Sequence, residues 1–209
     1  MLFVLVAALI AQAPVHEELI PPAEATESPI VMPPPPDAPR VVTRQTRVDR
    51  GIGFQNVTFG TSPEVVAKRL ARYRMAADPR EAAYPTYAGS GDVLGERAAV
   101  YASFSPRTRK LFTIAVVSQT KPGEPRSALT AMFETRRRIL TEKYGLPAQE
   151  TYTPEGTELV WLFRDGQLQC ELARGTVSVM YFHDKSVALS LAEQDQIEAQ
   201  RRRLRKNEL

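Results

Sequence analysis

Two histidines, one cysteine and a scatter of carboxylates are the residues of this chain that could do chemistry at neutral pH. His183 closes the strand-like run VSVMYFH and shares its alternation with Val177, Val179 and Tyr181. A histidine there could act as a general base, but a strand-end ring with one nitrogen already bonded is the expected state. Glu155 and Glu158, near Asp165 in sequence, could be drawn as a paired-carboxylate site; they flank a turn, where surface acids are ordinary. His16 stands among prolines, with no neighbour to make it a ligand. Cys170 alternates with Leu168 and Leu172 in QLQCEL, which places its sulfur on the apolar side of a half-buried strand, as a packing thiol. The patterns G-x-S-x-G, H-E-x-x-H and the P-loop do not occur. Gly89, Gly91 and Gly95 of GSGDVLG lack dinucleotide spacing, and no helix pattern follows to meet a phosphate. The expectation is a protein that is not an enzyme, with no catalytic residue, no cofactor and no metal site.

Contact surfaces are the next kind of site to seek. The stretch ADPREAAYPTYAGSGDVLGER reads as a loop rich in breakers, and exposed tyrosines in such loops favour interfaces. Tyr84, Tyr87, Gly89 and Asp92 are therefore the candidate partner-binding loop. Basic residues cluster at Arg107 to Lys110, at Arg136 to Arg138 and at the chain end. There Arg201, Arg202, Arg203, Arg205 and Lys206 are candidate contacts to an anionic surface. Nucleic acid would want aromatics interleaved with these cations, and RRRLRK has none, so no nucleic acid is expected. Anionic lipid or lipopolysaccharide is the expected polyanion.

The charge distribution agrees. The formal charge is +3, yet all 27 Lys and Arg lie from Arg40 onward, while Glu17, Glu18, Glu24, Glu27 and Asp37 precede it. Setting those five acids aside leaves 19 of the 24, so the rest of the chain carries about +8. A hydrophobic share of 43% and a charged share of 24% over 209 residues fit a soluble domain with extensions, and exclude a polytopic membrane protein. A single cysteine excludes an internal disulfide.

The elements that must position these residues begin after an address. MLFVLVAALIAQA, residues 1–13, has the apolar run and small-residue end of a signal peptide, and is too short for a standard span. An uncleaved short anchor is the alternative; either way the expected place is the periplasm or cell envelope. Residues 14–47 are dense in proline and read as a disordered spacer. Residues 48–188 should form an α+β domain, in halves of about 54–120 and 124–184. Residues 189–209 should be a basic exposed helix or tail.

In the first half a strand around Val57 to Phe59 leads into a helix over about Pro63 to Arg74. Thr61 and Glu64 have the capping-box spacing, and Val66, Leu70 and Tyr73 form the apolar face. AAVYASF and LFTIAVVS follow as strands joined by the basic turn SPRTRK. In the second half Leu129, Met132, Phe133, Arg136, Ile139, Leu140 and Tyr144 trace a longer helix, stopped by Gly145 and Pro147. The strands ELVWLF, QLQCELA and TVSVMYF come next, with Arg164-Asp165-Gly166 as a hairpin turn and Leu159, Trp161 and Phe163 facing the core. A helix followed by an antiparallel meander, twice, predicts a two-layer α+β domain with its helices on one face of the sheet.

This layout resembles the small exported domains of the BamE (SmpA/OmlA) type and the β-lactamase-inhibitor-protein-like fold. The matching residues are Gly60, Thr61, Glu64, Val65 and Leu70, then Tyr144, Gly145, Pro147 and Trp161, within about 54–184. The resemblance implies a domain used for protein contact in the bacterial envelope rather than for catalysis. The lipid-bearing cysteine of the outer-membrane lipoproteins has no counterpart. An inhibitor-like domain that plugs an enzyme cleft is the alternative reading, and an enzyme of unrecognised type is the other.

Overall fold

The computed structural model describes residues 39–79, 84–119, 123, 125–173 and 175–207. The chain divides after Pro35, and the first unit, with the signal-like run, His16 and residues 14–35 of the proline-rich segment, lies outside the described residues. The end of the proline-rich segment lies in the second unit and is described: Arg40–Thr43, inside the stretch that composition marks as disordered, form strand β1. Composition misses β1 because its register with a partner strand, not its own apolar content, holds it.

Helix α1 (Pro63–Arg69) runs into a 3-10 turn at Ala71–Tyr73, and Arg74 closes it in the left-handed region at φ 53°. Its cap is Ser62; the Thr61 hydroxyl instead donates to the Thr58 carbonyl at 2.9 Å, so the Thr61–Glu64 capping box does not form. Nor is there a strand at Val57 to Phe59, only a Phe54–Val57 bridge around a tight turn. Strands β2 (Ala76–Asp78), β3 (Thr86–Val93), β4 (Glu96–Phe104) and β5 (Leu111–Ser118) follow as a meander. Helix α2 (Arg126–Tyr144) ends where Gly145, at φ 82°, donates its N–H to Thr141. Then come β6 (Gln149–Thr153), β7 (Gly156–Leu162), β8 (Gly166–Ala173), β9 (Thr176–His183) and helix α3 (Asp184–Asn207).

The expectation of tandem units with all helices on one face is overturned. Every strand joins one antiparallel sheet in the order β1-β6-β7-β8-β9-β5-β4-β3-β2. The seam is β5 against β9, with Ile114 opposite Tyr181 and Val116 opposite Val179. This five-pair seam, apolar on both sides at three of its pairs, removes two edges that separate units would expose. The helices do not repeat either: α1, α2 and α3 have 7, 19 and 24 residues.

Both faces of the middle of the sheet are covered. On one, Val100, Val116, Val179, Leu168, Cys170, Leu159 and Trp161 meet Val66, Leu70 and Tyr73 of the first helical segment and Leu129, Phe133 and Leu140 of α2 in a single core. Each such side chain contributes about 1.5–3 kcal/mol by leaving water. Thr113 and Ala115 of β5 have the opposite parity and are buried as well. That side is where α3 packs, against β5 and β9. A polar helix does this with a narrow stripe: Ser186, Ser190 and Glu193, at spacings of four and three, are its buried residues.

Candidate functional site

His183 is held by its neighbours. Its Nδ1 lies 2.8 Å from the Ser186 hydroxyl and accepts from the Ser186 N–H at 3.3 Å, so the ring caps the first turn of α3. Its Nε2 is 3.8 Å from Asp165 Oδ2, and Phe59 stacks on the ring at 5.7 Å with the planes 4° apart. Asp165 in turn accepts the Ile52 N–H at 2.7 Å through Oδ1. Serine, histidine and aspartate thus stand together, but the histidine nitrogen that would take the serine proton already serves a backbone donor. The arrangement fastens β9, the β7–β8 turn and α3 to one another.

The paired carboxylates do not converge on it. His183 pairs with Gly166 at one end of β8, whereas Glu155 precedes Gly156, which pairs with Ala173 at the other. The length of β8, roughly 23 Å at the rise of a strand, separates them. Glu158 sits across from Glu171; burial first, and the Glu171 charge second, raise its carboxyl above the ordinary range. Cys170 is fully buried, and burial pushes its thiol up to about 12. Among the described residues no group of three His, Cys, Asp or Glu could hold a metal ion. None of their helices is long and apolar enough to cross a membrane. An open depression of about 430 Å³ lies elsewhere, lined by Arg47, Val48, Asp49 and Arg164.

The tyrosine–glycine segment proves to be strand, not loop. Tyr87, Gly89 and Asp92 belong to β3, opposite Ala102, Val100 and Arg97 of β4. Tyr87 packs on the core with its ring against Phe104 at 5.6 Å. Tyr84 precedes the strand, half-buried with its ring 5.3 Å from Phe112; burial, then the charges of Glu198 and Asp195, raise its phenol. The glycines are there for space. A Cβ on Gly91 would lie 2.7 Å from the Tyr73 ring, and one on Gly89 would run into the Tyr73 carbonyl.

The cations make a corner. Residues 105–110 form a tight turn between β4 and β5, with the Ser105 N–H bonded to the Lys110 carbonyl at 2.9 Å and Arg109 in the left-handed region at φ 55°. Glu193 of α3 grips this turn. Its Oε2 accepts the N–H groups of Arg107 and Thr108 at 2.8 and 3.1 Å, and its Oε1 accepts the Thr108 hydroxyl at 2.6 Å. Burial pushes the Glu193 carboxyl up, but these bonds and one from Ser105 outweigh it and hold it below the ordinary carboxylate range. The Arg107 guanidinium then reaches along α3 to the side-chain oxygens of Gln196 and Gln200, at 3.0 and 3.1 Å. Those partners are neutral amides, so they orient the charge without cancelling it.

Glu193, Gln196, Gln200 and Arg203 follow spacings of three, four and three, one stripe of the helix. Arg201, Arg202, Arg203 and Arg205 are all exposed, as is Leu204 at 58%, and Lys206 continues the same helix. Arg107, Arg109 and Lys110 are exposed too. The sequence marks both basic clusters; what joins them is Glu193, 85 residues from Thr108. Its only trace in the sequence is the spacing of Ser186, Ser190 and Glu193. Arg136, the middle of the third cluster, is removed from any surface: it is 1% exposed, on the buried face of α2.

Comparison with protein families, with characterised proteins and with solved structures finds no match to this chain.

Proposed function

We propose that this chain is a non-catalytic exported module of the bacterial envelope. Its proline-rich spacer carries a folded domain that holds a protein partner, in the manner the resemblance to BamE-type domains implies, and turns the basic end of α3 toward an anionic surface. The observation that carries this reading is how the polar groups are used. His183, Asp165, Glu150 and Glu193 are each engaged in fastening one element to another. The exposed arginines of α3 have no such task among the described residues, and they gather on the last turns of a helix whose buried stripe ends near Glu193. A helix of 24 residues extends about 36 Å, well past that stripe. Long polar helix continuing beyond its support is surface kept for something else.

Cell fractionation with N-terminal sequencing of the mature protein tests the reading. Recovery with the envelope, either cut after residue 13 or anchored through an intact apolar segment, is the expected outcome. Recovery in the cytoplasm with Met1 intact and no membrane association would remove the reading.

A further inference from the structure

The β4–β5 turn and the end of α3 come from distant parts of the chain, yet one carboxylate locks them together, and the lock has an unusual charge consequence. Glu193 is an acid whose contacts, at 2.6 to 3.1 Å, all serve to hold a basic turn in place. We propose that Glu193 is a positioning residue that assembles Arg107, Arg109 and Lys110 with Arg203 into one docking surface for an anionic phospholipid bilayer. This deepens the anionic-surface part of the function proposed above and rests on it.

Charge and shape choose the occupant. Cations act on a charged bilayer only within about a Debye length, roughly 8 Å at physiological salt. Two clusters therefore add only if both are held at the same surface, and each basic residue so held strengthens partitioning about fivefold. The clamp supplies that condition. Arg107 lies along the helix through Gln196 and Gln200, one turn before Arg203. Leu204, exposed at 58% among the arginines, is an apolar side chain that an interface can accept. Acids also stand nearby: Asp195 and Glu198 share the stripe of Arg202 and Arg205 and face Tyr84, so that stripe is partly compensated and lies outside the proposed surface. Glu64 of α1 feels the charge of Arg109, so one acid also stands near the turn. The described part of α3 has no aromatic residue on which a base could stack, which sets nucleic acid aside.

The test is co-sedimentation of the full chain with vesicles of phosphatidylcholine alone and of phosphatidylcholine with phosphatidylglycerol. The apolar N-terminal run contributes to both, so the difference between them reads the cations. Glu193→Gln removes one negative charge and so raises the net charge by one. If charge alone mattered, the phosphatidylglycerol-dependent increment would grow several-fold. With the clamp, the turn is released and the increment falls, about fivefold for each cation lost from the surface. Thr108→Ala removes one clamp bond without changing charge, should lower the increment in the same direction, and keeps the test intact if Glu193→Gln fails to fold. An unchanged or larger increment in a folded variant overturns the clamp while leaving the function proposed above in place. No increment in the natural chain overturns the anionic-surface reading itself. A protein partner cross-linking through Arg107 and Arg203, with no lipid increment, would assign the corner to protein and also overturn the proposal.

Discussion

The carbonyl oxygen of Tyr73 occupies the space in which a side chain on Gly89 would begin. A Cβ built there falls well inside the 3.0 Å that real contacts respect, and the obstacle is backbone. Gly89→Ala must therefore displace either β3 or the 3-10 turn, and the expected cost is about 2–3 kcal/mol in chemical denaturation. Gly95 is the control. It has open space but φ 82°, so Gly95→Ala should cost about 1 kcal/mol from backbone strain alone. Equal effects at the two sites would contradict the close approach.

Arg136 is a cation in the core. Its guanidinium reaches Glu96 and the Val177 carbonyl, both at 3.5 Å, and its Nε has no hydrogen-bond partner among the described residues. Burial, opposed by the Glu96 charge, lowers its pKa. A pair with such long contacts does not recover the cost of leaving water. Arg136→Met should leave stability unchanged or raise it by about 1–2 kcal/mol, whereas Glu96→Ala should lower it by about 1–3 kcal/mol by stranding the arginine. Thermal unfolding of the two variants separates these directions.

Glu150 gives the fold an acid limit. It is buried where β1, β6 and α2 meet, and takes bonds from Arg44, Tyr152 and, at 3.2 Å, Arg137. Burial raises its carboxyl, but the bonds from Tyr152 and Arg44 and the charges of Arg137 and Arg44 prevail and hold it below the ordinary 4.5. A folded-state pKa lowered in this way contributes stability that is complete above the unfolded value and fades as pH falls through the folded one. Unfolding midpoints should therefore drop steadily below about pH 4.5, and Glu150→Gln should flatten that part of the profile while lowering stability near pH 7. A Glu150→Gln profile parallel to that of the natural chain would contradict this.

Cys170 should be silent until the sheet opens. It is fully buried, and burial pushes its thiol up to about 12, so at pH 8 almost none is thiolate. Alkylation in native buffer should be slow, limited by opening of the sheet, and become fast only in denaturant. Rapid native labelling would contradict the packing of β8.

Much of the fold was legible where one residue pattern dominates. Val66, Leu70 and Tyr73 are buried as their helical spacing predicts, and so are Leu159, Trp161 and Phe163 by strand alternation. Gly145 stops α2 at the residue where periodicity ends. The seam between β5 and β9 was not legible, because pairing across the sheet leaves no local trace in either strand. The glycines of β3 misled for a related reason: Gly89 and Gly91 make room for Tyr73, and sequence cannot tell room from flexibility. At the candidate site, both basic clusters could be read from the residues. Their union could not, since Glu193 is one acid in a polar helix and meets its partners only through the packing of α3 on β5.

In-cell photocross-linking from position 203 of the full chain, with position 107 as its companion, tests the central claim most directly. Adducts with envelope phospholipid from both positions, lost together when Glu193 is changed to Gln, are the expected result. Adducts confined to cytoplasmic proteins, or none from either position in a folded chain, would contradict a module that docks through this corner.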